Sequence, residues 1–280
     1  MAAFRGWNDG AQGASLAASY LAQSWKARRF ADVDPEEFFD FQAVRPHVRL
    51  EEGLTRRVDW PENAFYHAAV PGSERDAVLL LGVEPNMRWR TFCGEVVSLA
   101  RDLEVDLVVT LGALLADVPH TRPAPVTGSA TDPQLVEELG LAASRYEGPT
   151  GIVGVLHDSC RGAAMPSASL WAAVPHYVSL AASPKAALAL CRRLGDLLGT
   201  GLELGDLERA SDAYELQVSA AVSQDEETEA YVHELEQRRD TLGGELDVPS
   251  GDTLAEELTR FLKEHEERSR SEGEEGPATG

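Results

Sequence analysis

Residues 77–90 read Ala77-Val-Leu-Leu-Leu-Gly-Val83-Glu84-Pro-Asn86-Met-Arg88-Trp-Arg90. The apolar run is too short for an ordinary helix and has no polar face, the pattern of a strand buried on both sides. A carboxylate and two guanidinium groups follow directly on its end. In open α/β sheets ligands bind beyond the carboxyl ends of the strands. This one stretch therefore predicts both the fold class and the place to look for chemistry.

Outward from it, Ala2–Phe4, Asp106–Leu111, Gly151–Leu156 and Ser169–Val174 read as further buried strands. Ala64–Val70 alternates less cleanly and precedes Pro71-Gly72, a turn able to fold it back on Ala77–Val83. Helices lie between, with clear punctuation. Asp132-Pro133 opens one that Gly140 closes. Ser183-Pro184 opens Lys185–Leu198, whose Leu188, Cys191, Leu194 and Leu198 share a face, with Gly199 at its end. Strands alternating with helices predict an α/β fold over residues 1–200, a mostly parallel central sheet with flanking helices.

The character changes near Gly199-Thr-Gly201. Residues 201–280 hold 23 acids against 7 bases, residues 1–200 hold 24 against 18. Asp206–Val222 and Gln224–Arg239 read as helices, with Ser223 and Glu226 as a capping box between them. A third helix follows Asp252, its stripe Leu254, Leu258, Phe261 and Leu262. Residues 203–267 thus form a small C-terminal acidic helical segment, and 268–280, rich in Glu, Gly and Ser, a disordered tail. The acidic helices fit a solvated face or a flap over the strand ends.

Composition narrows the classes. Hydrophobic residues make up 43% of the 280, enough for a real core. A net charge of -22 argues against nucleic acid as a partner, since phosphate binding needs a basic surface. Three cysteines without CxxC spacing point to a reducing compartment. Neither a secretory leader nor an apolar run of membrane-spanning length is present, so a cytoplasmic protein with no membrane partner is expected.

The strand ends collect the polar residues. After the first run come Trp7, Asn8 and Asp9, inside a glycine-flanked loop that leads into a helix. Its spacing is neither a Walker loop nor a full GxGxxG. Glu84, Asn86 and Arg88 follow the second run, His120 and Arg122 the third, His157 the fourth and His176 the fifth. A parallel sheet would bring these ten together as a ligand-binding cleft. Arginine forks such as Arg88, Arg90 and Arg122 suit a nucleotide, a nucleoside or another anion. No GxSxG elbow marks a serine hydrolase, and no HxH or HxxxH spacing marks a metal site. Cys160, near His157, reads as a buried structural thiol. No catalytic residue is singled out, and no motif names a cofactor. Trp25, Phe38, Phe39, Phe41, Trp60 and Phe65 crowd segments of poor periodicity. They need burying, which predicts a homo-oligomer, a trimer among the options, with residues 36–66 contributing.

Several strings occur in order: Phe4-Arg-Gly-Trp-Asn-Asp9, Gly82-Val-Glu-Pro-Asn86 with Arg88-Trp-Arg90, Leu111-Gly-Ala113 through Asp117-Val-Pro-His-Thr-Arg-Pro123, Tyr146-Glu-Gly-Pro-Thr-Gly151 and Val174-Pro-His-Tyr177. Together they make residues 1 to about 200 resemble the bacterial branch of the proteasome assembly chaperone 2 family. The resemblance implies a phosphorylase/hydrolase-like α/β fold, akin to nucleoside phosphorylases, and no established catalytic activity. It implies a protein partner, since the family's chaperones bind proteasome α-subunits and often end in a hydrophobic-tyrosine-any tail. This chain ends Gly276-Pro-Ala-Thr-Gly280, a departure that argues against the proteasome itself. Two readings follow: an oligomeric chaperone-like interaction protein, with an exposed apolar surface and idle polar groups at the strand ends, or a small-molecule binder or phosphorylase-like enzyme, with convergent charged side chains.

Overall fold

The computed structural model describes residues 1–51, 55–131, 133–138, 141, 147–178 and 182–241. Its elements run β1 (Ala2–Arg5), α1 (Gly13–Ser24), β2 (Arg28–Val33), α2 (Pro35–Phe38), β3 (His47–Glu51), β4 (Thr55–Asp59), β5 (Asn63–Ala69), β6 (Asp76–Val83) and α3 (Trp89–Asp102). They continue β7 (Val108–Ala116), β8 (Val126–Ala130), α4 (Pro133–Glu138), α5 (Ile152–Gly162), β9 (Ser167–Pro175), α6 (Pro184–Leu198), α7 (Gly205–Val222) and α8 (Glu226–Thr241). The chain divides into two compact units. One, Met1–Ser144 with Gly151–Leu246, holds everything described below. The other is Arg145–Thr150 with Asp247–Gly280.

β1 is only four residues long, yet it lies at the centre of a seven-stranded sheet ordered β2-β5-β6-β1-β7-β9-β8. Its small apolar residues alternate between two cores. Ala3 joins Leu79, Leu111, Leu170 and Val174 under α1 and α6, which contribute Ala14, Ala17, Ala18, Leu21, Leu190 and Cys191. Ala2 and Phe4 join Phe65 and Leu80 under α3 and α5, which contribute Phe92, Cys93, Val96, Ile152, Leu156 and Cys160. Alternation with period two on the strands and apolar stripes on the helices yields three layers, helix on sheet on helix.

The sheet is mixed, which corrects the expectation of a mostly parallel, phosphorylase/hydrolase-like one. β1 pairs parallel with β6 and β7, and β7 with β9. β2–β5, β5–β6 and β8–β9 are antiparallel. Apolar runs reveal strands covered on both faces, and each of these, β1, β6, β7 and β9, has at least one parallel neighbour. The edge strands, Arg-Arg-Phe-Ala-Asp-Val in β2 and Val-Thr-Gly-Ser-Ala in β8, carry no such run. Pro71-Gly72 turns β5 back on β6 with Ala69 opposite Asp76.

Gly151–Leu156, read as a strand, is the start of α5. Ile152, Val153, Leu156 and Cys160 are its buried residues, a helical stripe rather than an alternation. The third strand begins at Val108 and extends to Ala116. α6 has its predicted start, with Ser183 accepting from Ala186 N, and its predicted left-handed end at Gly199. Between α7 and α8 the capping oxygen comes from Asp225, which accepts from Thr228 N at 3.3 Å, and not from Ser223, whose hydroxyl donates back to Ala220 O. The helix read after Asp252, the tail from 268, and the residues Asp132 and Gly140 lie outside the described residues.

β3 and β4 form a separate two-stranded ribbon. Its register sets Val48 opposite Val58 and Leu50 opposite Arg56. These four share one face. The other face carries His47, Arg49, Glu51, Arg57 and Asp59, where Arg49 pairs with Asp59 and Arg57 with Glu51. No described helix is long and apolar enough to cross a membrane.

Candidate functional site

The ten predicted residues fall into four places. Trp7, Asn8, Asp9 and Glu84 come together where β1 and β6 end. Glu84 Oε1 accepts from Asn8 Nδ2 at 2.8 Å and from Ile152 N, the first residue of α5, at 2.8 Å. Its Oε2 accepts from Trp7 N at 3.3 Å. Asp9 does the same service for α1, its Oδ1 accepting from Ala14 N at 2.9 Å and Ser15 N at 3.0 Å. Two carboxylates thus cap two helix amino termini, where the helix dipole favours negative charge. Burial nevertheless raises both above the usual carboxylate range. Packing leaves no room for a side chain at Gly151, where a Cβ would stand 2.2 Å from Asn8 Nδ2 and 2.5 Å from Glu84 Oε1. The cluster joins β1, β6 and α5, with both Glu84 oxygens on internal donors while Asn8 Oδ1 and Asp9 Oδ2 are buried without one.

Asn86 and Arg88 belong to the link between β6 and α3. Asn86 Oδ1 accepts from Asp40 N at 3.1 Å, and Asn86 N donates to Phe38 O at 2.9 Å. Arg88 pairs with Glu37 and lies over the Phe38 ring at 5.5 Å. Both members of that pair are about half exposed, at 51% and 54%. A pair so solvated is worth about 0–1 kcal/mol. It is a surface fastening for α2.

His157 stands at the opposite end of the strands. It lies on α5, and its Nδ1 is 3.0 Å from the hydroxyl of Ser167, the first residue of β9. Burial, then the nearby Arg161, lowers its pKa. The strand reading of residues 151–156 placed it at a carboxyl end, and the helix removes it from there. Cys160 is buried on the same helix, its thiol pushed up by burial.

His120, Arg122 and His176 do converge, on the loops after β7 and β9, where α7 and α8 pack. His120 is 2% exposed. Its backbone N donates to the Tyr177 hydroxyl at 2.8 Å, its Nδ1 is 2.9 Å from the same oxygen, and its Nε2 is 3.0 Å from Ser219 Oγ on α7. Tyr177 stays neutral, because burial pushes its hydroxyl well up. Its oxygen accepts from the His120 backbone, and in one of the two imidazole tautomers its proton is given to Nδ1. That leaves Nε2–H to donate to Ser219. In that tautomer the imidazole donates its hydrogen bond to the serine, which is the wrong sense for activating a nucleophile. Lys185 joins His120 O to Glu215 of α7. Arg122 forks onto Asp240 of α8, with Nε to Oδ1 and Nη2 to Oδ2 both at 2.9 Å, and reaches Glu236 at 3.3 Å. His176 Nδ1 lies 3.1 Å from Asp117 Oδ1, an ion-pair distance without the direction of a hydrogen bond, and its ring meets Tyr177 and Tyr231 edge-on at 5.8 and 5.6 Å.

Burial and then the Lys185 charge lower the pKa of His120. In the unfolded chain this imidazole protonates near its ordinary value of about 6.5. Below that pH the unfolded state binds a proton that the folded state resists, so the fold loses stability until the lowered value is passed. Wild type minus His120→Gln, compared by melting temperature between pH 8 and pH 5, should show the wild type losing ground as the pH falls. A constant difference would mean that His120 does not titrate as this environment requires.

Ser219, Lys185, Glu215, Glu236 and Asp240 were not among the ten. Their signal in the sequence is faint: Glu236 and Asp240 stand one helical turn apart, two of many acids on a helix that reads as solvated. A groove of about 720 Å³ runs between α1 and the start of α7, lined by Leu16, Tyr20, Pro184, Glu203, Leu207 and Arg209 among others, and none of the ten reaches it.

The PAC2 family model matches residues 3–222. Among solved structures, a proteasome-assembly chaperone homologue from Mycobacterium tuberculosis is 48% identical, covering 82% of this chain and 98% of that one with a TM-score of 0.76. A PAC2 family protein from Streptomyces avermitilis is 46% identical over 82% of this chain and 97% of its own, also at 0.76. An archaeal homolog of proteasome-assembly chaperone from Pyrococcus furiosus, 19% identical with 81% and 93% covered, shares the fold at a TM-score of 0.57. No curated protein matches the chain.

Proposed function

The chain belongs to the PAC2 family, and from that premise we propose that it is a chaperone-like interaction protein working as a homo-oligomer, with the β3–β4 ribbon at the contact between copies. One observation carries this reading. The ribbon turns Val48, Leu50 and Val58 outward, 61%, 61% and 45% exposed, and Trp60, one step beyond β4, is 49% exposed against Phe41. Exposed apolar residues scattered singly need no explanation, but a cross-strand ladder of them does. An isolated two-stranded ribbon is marginal in water and gains stability by burying such a face. Charge favours a second copy as the cover. Arg56 shares the face of Val48, Leu50 and Val58, and with Arg45 it stands outside the ribbon's ion pairs, so in a chain of net charge -22 another copy offers them an acidic surface.

The small-molecule reading is the weaker one. Glu84, Arg88, Arg122 and Lys185 spend their charge on internal partners, and Asp9 commits one of its two oxygens to the start of α1. Light scattering on the wild type should give a multiple of 30.3 kDa at micromolar concentration, and Val48→Ser with Val58→Ser should shift it to a single chain. A wild type at one chain mass refutes the oligomer. An unchanged mass in a folded double variant moves the contact off the ribbon.

A further inference from the structure

Arg122 and Lys185 belong to the α/β body, yet the carboxylates that pair with them, Glu236, Asp240 and Glu215, all lie on α7 and α8. Thr121, next to Arg122, also gives its hydroxyl to Glu236. The apolar hold on α8 is thin by comparison. Only Val232 and Leu235 are buried on that helix, against seven residues on α6. Tyr231 adds an aromatic contact, edge-on to His176 and Tyr177 at 5.6 and 6.2 Å. A helix held mainly by partly exposed charge is held by screened, exchangeable contacts.

We propose that this end of the body, formed by Thr121, Arg122, His176 and Tyr177, is a docking site for acidic amphipathic helices, and that α8 is its resident occupant. The contacts spell out what such a helix must carry. An aromatic residue and an apolar one come first, as Tyr231 and Val232, to meet the His176–Tyr177 rings and the small apolar cluster of Tyr214 and Val218. Two carboxylates follow, one turn apart, as Glu236 and Asp240, to engage the Arg122 fork. A planar guanidinium reads that spacing better than an ammonium would. The partner that fits is a protein presenting a helix of this pattern, and it would gain the site by displacing α8. The inference rests on the reading of the chain as an interaction protein but not on its oligomeric state.

The test uses a fluorescein-labelled peptide of residues 226–241 and the full-length chain. Anisotropy should show binding to Glu236→Ala/Asp240→Ala at least tenfold tighter than to the wild type, whose own α8 competes. Adding Arg122→Ala should abolish the gain. If the double variant melts without cooperativity, Asp240→Ala alone, 57% exposed in the fold, replaces it with a smaller gain expected. No gain in the opened variant, or a gain that survives Arg122→Ala, overturns the proposal. Either result leaves the light-scattering experiment on the ribbon untouched.

Discussion

Replacing Glu84 with alanine is expected to lower the melting temperature by about 5–10 °C. The side chain accepts from Ile152 N, Asn8 Nδ2 and Trp7 N, and its removal strands all three donors at the junction of β1, β6 and α5. Hydrogen bonds to a charged group are each worth about 1.5–3 kcal/mol, so a plain sum would be larger. Burial already works against this carboxylate, as its raised pKa shows, and truncation relieves that cost. The net loss is about 2–3 kcal/mol, and in a chain of this size each kcal/mol moves the midpoint by about 2–4 °C. Scanning calorimetry reads it directly. A shift below about 2 °C would show that the three bonds contribute nothing net and that Glu84 is free for another task.

Gly82→Ala should cost about 3 kcal/mol, at the upper end for an overpacked site. Gly82 lies opposite Asn63 in the β5–β6 pairing. A Cβ there would stand 2.0 Å from Asn63 Oδ1, 2.4 Å from Glu62 O and 2.7 Å from Asn63 Cα. An amide side chain can turn away, but a carbonyl oxygen and a Cα in a paired strand cannot move without shifting the register. Gly94→Ala is the control. It lies inside α3 with nothing within 4 Å of the added atom, and should stabilise by about 0.5–1 kcal/mol. Urea melts that ranked the two variants together would mean that the β5–β6 contact yields more easily than its geometry allows.

What the sequence made legible were the elements whose burial or punctuation shows locally. β1, β6, β7 and β9 stand out because both faces are covered, and α6 because Ser183-Pro184 and Gly199 mark its ends. β2 and β8 stayed invisible, since an edge strand is defined by which neighbour it finds and not by an apolar run. The same limit governed the site. Glu84 and Asn8 could be paired from strand-end logic, whereas the contact between His120 and Ser219 spans 99 residues and depends on where α7 comes to rest. His157 went to the wrong end of the sheet because six apolar and small residues fit a short strand as well as the first turn of a helix. One local misreading displaced a distant conclusion.

The position of β1 also shapes how the chain must be made. Its two sheet neighbours, β6 and β7, begin at Asp76 and Val108, and β1 ends at Arg5. A ribosome adding roughly 5–20 residues per second leaves β1 without its second neighbour for roughly 5–20 s. Both hydrogen-bonding edges of β1 are open until β6 is made, and the edge meant for β7 stays open to the end of that interval. Parallel pairing at such long range also forms slowly once the parts exist. Synthesis therefore passes through a stage in which the β5–β6 hairpin and α1 can form locally while the strand meant to join the two halves of the sheet waits.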